Sequence, residues 1–469
     1  MTRAPLRRAV LRLTCAATVL GAVAGFPAPA GAIAPPRIDA GALDAAMALS
    51  GRPAPLEPTE QRELCAEPVL RGSPPSEPPM AQRVLDLPSA WQFSRGAGQK
   101  VAVIDTGVNR HPRLPALQAG GDYVSDSDGT VDCDGHGTLV AGIIAARPSP
   151  EDAFVGVAPE AEILTIRQLS LAYEAKDRGA DKSQGALRSD GYGSVLTLAG
   201  AVVRAVDMGA TVINISEVAC TAAGSNTSDG ALGAAVKYAY ERNVVVVAAA
   251  GNVEQGGSCE NQNEGSGWSS VTTVASPAWF APYVLAVGSV DADGKPSALS
   301  LRGPWIGAAA IGRNIVSLDS KPGGAGLVDG VQTMEGVQPV DGTSFAAPYV
   351  AGLAALIRSR FPELSAQQVI ERITRTAHAP GRGRDDAIGA GLIDPLAALT
   401  APLADAPPST GADVGHAIAT PYVAPEPDQR PRQVAIIGSL TLLAALGIGA
   451  AFAFPFRRRG ADLNQEFDE

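Results

Sequence analysis

The sequence predicts an α/β fold, a doubly wound and mostly parallel sheet with helices on both faces, followed by one C-terminal transmembrane helix. Three observations lead there. Between residues 81 and 400, apolar runs (100–104, 161–166, 212–215, 244–249 and 284–287) alternate with segments of helical periodicity (138–146, 194–208, 230–242, 345–360 and 365–376). The runs are continuously apolar rather than alternating, as strands covered on both faces must be. Residues 434–456 then supply 23 positions without a charge, about 34 Å of helix at 1.5 Å per residue and enough to cross a bilayer.

Taken in order, the 469 residues divide by composition. Arg3, Arg7, Arg8 and Arg12 precede an apolar run and then Ala30-Gly31-Ala32, the three parts of a secretory signal peptide over residues 1–32. Its removal would take the formal charge from −11 to −15, a balance that argues against a nucleic-acid partner. Residues 33–80 hold ten prolines and predict an extended arm lying along the main domain and tied there by Cys65. The globular domain spans 81–400. Within it, polar insertions at 168–193 and 253–276 follow strands and should lie on the rim where parallel sheets bind ligands. Residues 401–432, with seven prolines, read as a linker, 433–456 as the membrane helix and 457–469 as a short cytoplasmic tail. The signal peptide fixes the topology: the domain is exported and held at the cell membrane.

Of five cysteines, Cys15 falls in the signal peptide. Cys65, Cys133, Cys220 and Cys259 remain, an even number that predicts two disulfides with three pairings open. No Cys-x-x-Cys pair or histidine cluster points to a metal, and no cofactor is expected. The acidic residues Asp122, Asp126, Asp128 and Asp132 have the donors for an ion, but the pattern predicts a solvated loop.

The chemistry centres on Asp341-Gly342-Thr343-Ser344-Phe345-Ala346-Ala347-Pro348, where small residues lead into a helical pattern. Ser344 is thereby placed at a helix N-terminus, whose unpaired N–H groups favour developing negative charge. Pro348 fits a helix only in its first turn. Asp105 ends the apolar run 101–104 and precedes Thr106-Gly107. His136 lies between Gly135 and Gly137 just before a second helical pattern, and it alone of the four histidines (His111, His136, His378, His416) has glycines on both sides. A serine hydroxyl needs a base to take its proton, and the base needs a carboxylate to hold its tautomer and stabilise the imidazolium. Asp105, His136 and Ser344 occur in one of the known chain orders for such a triad. Asn252, after the strand-like run 244–249 and Gly251, offers with the Ser344 N–H a pair of donors for the oxyanion.

Asp105-Thr106-Gly107, His136-Gly137-Thr138, Ala250-Gly251-Asn252 and Gly342 to Pro348 together resemble the four signatures of subtilisin-like serine proteases, in order over most of the domain. The resemblance implies a seven-stranded doubly wound fold and peptide-bond hydrolysis by the 81–400 domain. It also implies that the strand end at Ser216, continuing to Val218, binds the substrate backbone. More narrowly, the layout is similar to the mycosins, membrane-anchored subtilisin-like proteases of type VII secretion systems. That implies protein substrates of the secretion system, a membrane secretion complex as partner, and disulfides Cys65–Cys133 and Cys220–Cys259; the second would also join loops after two strands flanking the cleft. The short arm departs from the larger cleavable pro-domain of subtilisins. Two functions compete: an endoprotease acting on secreted proteins, and a structural stabiliser of the secretion complex with dispensable catalysis. An esterase is disfavoured, because no Gly-x-Ser-x-Gly surrounds Ser344.

Overall fold

The computed structural model describes residues 33–176 and 191–403, apart from 226, 255, 256, 258 and 382. Seven strands make one sheet: β1 Lys100–Asp105, β2 Leu117–Asp122, β3 Glu162–Arg167, β4 Val212–Ile215, β5 Val245–Ala249, β6 Val284–Val290 and β7 Ile306–Ile311. Their spatial order is β7-β6-β5-β4-β1-β3-β2, and every neighbouring pair is parallel. The chain runs from β1 out to β2, returns to β3 against β1, and crosses to β4 on the other side of β1. The C-terminal end of β1 is therefore the switch point, where loops diverge and leave a crevice.

Six helices matter for the site: α1 Leu43–Ser50, α2 His136–Ala145, α3 Val195–Asp207, α4 Gly230–Glu241, α5 Thr343–Arg360 and α6 Ala366–Thr376. The strands separate two cores by their pleat. Val101 and Val103 of β1 pack with α2 and α5, whereas Ala102 and Ile104 pack with α3 and α4. Both faces are dry, which is why the strand runs are apolar without alternation. Start signals are local: Ser194 and Thr197 form a capping box at α3, and Ser365 and Gln368 do so at α6. α5 begins two residues ahead of its apolar pattern, so that Ser344 lies inside the helix. Pro348 is correspondingly inside it too, beyond the first turn.

The apolar-run pattern does not mark β2 or β7. β2 (Leu-Gln-Ala-Gly-Gly-Asp) is an edge strand, part-exposed along much of its length, and so needs no continuous apolar run. A Cβ on its Gly120 would lie 2.6 Å from the Thr165 carbonyl oxygen. β7 is wholly buried but made largely of glycine and alanine, weak strand formers, and a Cβ on Gly307 would lie 2.4 Å from a Leu285 methyl.

Residues 33–80 hold more structure than an extended arm. Within them α1 docks on α3: the Tyr123 hydroxyl donates to the Leu49 carbonyl at 3.1 Å, and Arg204 donates to the Ser50 carbonyl at 3.0 Å. Thr59–Gln61 pairs antiparallel with Tyr173–Ala175, and Glu67–Val69 with Gly330–Thr333. Cys65 is bonded to Cys133. The described residues up to Leu403 belong to one compact unit. The expected signal peptide, nearly all of the linker, the membrane segment 433–456 and the tail lie outside the described residues. Among the described residues no helix is long and apolar enough to cross a membrane.

Past β4, Ala219–Ala222 pairs antiparallel with Thr273–Ser276, and Cys220 is bonded to Cys259 across 39 positions of sequence. The second insertion is braced from inside as well, since Asn263 Nδ2 donates to the Thr273 and Arg302 carbonyls. Closing a loop of that size typically stabilises by about 2–4 kcal/mol. Joint replacement Cys220→Ser and Cys259→Ser should lower the unfolding free energy by about that amount in guanidinium titrations; an unchanged midpoint would contradict it.

Candidate active site

Asp105 is the last residue of β1 and has no exposed surface. Its Oδ1 accepts from the Thr106 N–H at 2.8 Å and lies 2.7 Å from His136 Nδ1. His136 is the first residue of α2, and the glycines around it serve close approach. A Cβ on Gly137 would run into the Gly107 carbonyl, and one on Gly135, at φ 77°, into the Ser320 hydroxyl. Without side chains there, the start of α2 can press against the end of β1.

Asp132 fastens that junction. Its Oδ1 accepts from the Thr106 hydroxyl at 2.8 Å and the Gly135 N–H at 2.7 Å. Its Oδ2 accepts from the Thr138 N–H at 2.8 Å and the Thr138 hydroxyl at 2.6 Å. One carboxylate thus spans the turn after Asp105 and the first turn of α2. Burial pushes its carboxyl up from 3.8 to about 6. The expected solvated acidic loop is therefore corrected at two of its members. Asp132 is buried in this junction, and Asp122 is buried against Arg167 while accepting from the Val124 and Ser125 N–H groups. Neither carboxylate is solvated, because each is already saturated by donors of this chain.

Ser344, 9% exposed, is the second residue of α5. The next residue, Phe345, packs its ring on His136 with centroids 4.8 Å apart, so the start of α5 meets the start of α2. Pro348 has no N–H for the Ser344 carbonyl four residues back; the Ser216 hydroxyl donates to that carbonyl instead, at 2.7 Å. Ser216 in turn accepts from Asn214 Nδ2 at 2.9 Å. Asn252 is oriented from its oxygen side. Its Oδ1 accepts from the Thr343 N–H and hydroxyl, both at 2.9 Å, leaving Nδ2 turned towards the serine. A Cβ added to Gly342 would lie 2.8 Å from Ser344 Oγ and 3.0 Å from Asn252 Nδ2, so these two atoms bound the same small space.

The structure thus brings Asp105, His136, Ser344 and Asn252 to one rim, with Ser216 tied beneath them. Val218 lies beside Gly251 on the same wall. Of the other histidines, His111 is buried and held below its ordinary value by burial and by Arg113, and His378 contacts Asp394 at 3.2 Å away from the rim. His416 lies outside the described residues. Asp132 appeared in the sequence only as an ion candidate, and Glu217 not at all, although its Oε1 stands 3.7 Å from His136 Nδ1. The spacing of Asp132 three residues ahead of a Gly-His-Gly turn was the available signal for the first. Among the described residues, Asp105, His136 and Glu217 form the group with metal-ligand atoms in reach of one another. The 2.7 Å His136–Asp105 separation is a hydrogen bond; two ligands around tetrahedral zinc would stand about 3.3 Å apart.

A serine peptidase of the subtilisin class is what this sheet order and this rim define. Residues 96–391 match the Subtilase family. Mycosin-3 of Mycobacterium tuberculosis is 45% identical over 462 residues, 95% of this chain and 97% of that protein. The crystal structure of MycP1 from Mycobacterium smegmatis superposes with a TM-score of 0.74 at 44% identity, covering 82% of this chain and 99% of that one. A chain of an intact ESX-5 inner membrane complex does so with a TM-score of 0.73 at 41% identity, covering 91% and 100%. The chain belongs to the subtilase family and, within it, to the mycosins, which makes it a serine endopeptidase.

Asp132→Asn tests the junction. The amide puts N–H groups against buried N–H donors, each unpaired donor costing about 1–3 kcal/mol, so stability and activity should both fall. The pH dependence has a definite sign. Folding raises this carboxyl from 3.8 to about 6, so the folded state binds the proton more tightly, and the group favours folding increasingly as pH falls through that window. The asparagine lacks this contribution. Melting temperatures from pH 7.5 to 4.5 should show the deficit of the variant widening towards acid; a constant or shrinking deficit would contradict the assignment.

Proposed function

We propose that Ser344 is the nucleophile, His136 the general base and then acid, and Asp105 the group that holds the imidazole, in hydrolysis of peptide bonds. The 2.7 Å contact of His136 Nδ1 with the buried Asp105 carries this reading. With Nδ1 committed as donor, Nε2 keeps its lone pair for the Ser344 proton, which it later returns to the leaving amine. Asn252 Nδ2 and the Ser344 N–H hold the oxyanion; the Thr343 bonds to Asn252 Oδ1 support that orientation. The segment from Ser216 to Val218 lines the substrate side. Because the Ser216 hydroxyl is engaged by the Ser344 carbonyl, substrate there meets backbone groups of this segment rather than a free hydroxyl.

The substrates in this reading are secreted proteins, cleaved outside the membrane by a domain over residues 81–400 with the 33–80 arm wrapped on it. Residues 401–432 form a tether and 433–456 the anchor, with the signal peptide directing export. A place in a membrane secretion complex draws support from the similar chain of the ESX-5 inner membrane complex and from the secretion system named for MycP1. That same likeness favours a second reading, in which the domain steadies such a complex and its catalysis is dispensable.

Ser344→Ala should abolish both peptide turnover and fluorophosphonate labelling while leaving the melting temperature near wild type. Turnover close to wild type would exclude Ser344 as nucleophile. Asn252→Ala should retain weak turnover, lower by about a hundred- to a thousandfold, the usual effect of losing one oxyanion donor.

A chain ending at residue 400 should be exported, soluble and still catalytic. Measuring protein secretion for this truncation and for full-length Ser344→Ala separates the two readings. Secretion lost with the serine variant alone points to the enzyme, and secretion lost with the truncation alone points to the stabiliser.

A further inference from the structure

β4 carries one polar side chain in an otherwise apolar strand. Its residues Val212, Ile213, Asn214 and Ile215 are all buried, and Asn214 has no exposed surface. In register on either side of Asn214 stand Val103 of β1 and Val247 of β5, both in the core that packs with α2 and α5. The pleat turns Asn214 to that same face, together with Ser216 two positions on. Its amide is only half used. Nδ2 donates to the Ser216 hydroxyl at 2.9 Å, and among the described residues Oδ1 has no hydrogen-bond partner. Burying an amide with an unmet acceptor costs stability, and an apolar side chain would match the two valines without that cost. What the asparagine supplies instead is the one bond it makes.

We propose that Asn214 is a positioning residue for the peptidase reaction, acting through the Ser216 hydroxyl to hold Ser344 in its reactive orientation. This rests on the reading of Ser344 as nucleophile. Pro348 leaves the Ser344 carbonyl without a helical donor, and the Ser216 hydroxyl donates to it at 2.7 Å. A serine hydroxyl by itself can turn its proton to several acceptors. With Nδ2 donating to the Ser216 oxygen, that proton is directed to the Ser344 carbonyl, and a hydroxyl that accepts a bond is itself the stronger donor. The chain therefore runs one way, from the Asn214 amide through Ser216 to Ser344, and all three residues are buried. Fixing the carbonyl fixes the backbone of Ser344 on its C-terminal side, while the bonds of Thr343 to Asn252 hold the other side. The Ser344 Oγ and N–H are thereby kept where proton transfer and the oxyanion need them; a misplacement of about 1 Å can cost roughly a hundredfold in rate. A group that only orients the nucleophile acts on the chemical step and not on the binding of substrate.

The test uses the full-length chain in membranes. The concentration dependence of Ser344 labelling by a fluorophosphonate gives the maximal rate and the half-saturating concentration separately, and thermal unfolding is followed on the same samples. Asn214→Leu is close in shape and removes the donor. It should lower the maximal rate about tenfold and leave the half-saturating concentration within about twofold of wild type, with the melting temperature equal or higher. Ser216→Ala should also lower the maximal rate, and combining the two substitutions should slow labelling no further than Ser216→Ala alone, because both act through one hydroxyl. A maximal rate near wild type in Asn214→Leu, or effects of the two substitutions that multiply, would overturn the proposal. So would a rate loss in Asn214→Leu that comes with a lower melting temperature, which is what a purely structural asparagine predicts. Labelling that persists in Ser344→Ala would instead remove the nucleophile reading beneath it.

Discussion

The site depends on one buried carboxylate that takes no part in the chemistry. Asp132 accepts from Thr106, beside Asp105, and from Gly135 and Thr138, on either side of His136. A strand end and a helix start are both places where backbone donors lack partners. Joining them through a single side chain satisfies those donors and sets the spacing of the two functional groups together. The hydrogen bond between His136 and Asp105 could not be held at 2.7 Å by the two side chains alone, since each would cost rotamer entropy to align. Gly137 completes the junction, since a Cβ there would lie 2.0 Å from the Gly107 carbonyl oxygen and keep the two backbones apart.

A second junction supports Ser344. Proline inside α5 removes the hydrogen bond that the Ser344 carbonyl would receive within the helix, and the hydroxyl of Ser216 replaces it. The apparent defect is thus the point at which the helix is fastened to the strand end at β4. Thr343 does the same on the other side, donating from its N–H to Asn252 and accepting from the Gly251 N–H. Residues next to the serine in sequence therefore hold it to the ends of two neighbouring strands.

The two disulfides extend this logic outward. Cys133 sits between Asp132 and the His136 turn and ties that loop to the arm; Cys220 follows the Ser216–Val218 wall and ties it to the insertion after β5. Each bond lies a few residues from a functional side chain, where parallel-sheet loops would otherwise be the least constrained part of the fold. The arm adds strand pairing at two further places and a helix against α3. It is built into the domain rather than laid over it.

The sequence by itself determined the sheet class and the identities at the rim. Buried strands announce themselves as apolar runs, and Asp105, His136, Asn252 and Ser344 each lie in a short motif whose glycines and small residues are part of the local turn. By its residues alone it left three cysteine pairings open, and the pattern passed over β2 and β7, which are rich in glycine and alanine instead of strand-forming side chains. It also took Asp132 for a solvated acid and gave no sign of Glu217. Those were decided only by tertiary structure. The contact of Glu217 with His136 spans 81 positions and that of Ser216 with Ser344 spans 128. No local pattern encodes a pairing of that range, because it exists only once the sheet has brought β1, β4 and the start of α5 to the same edge.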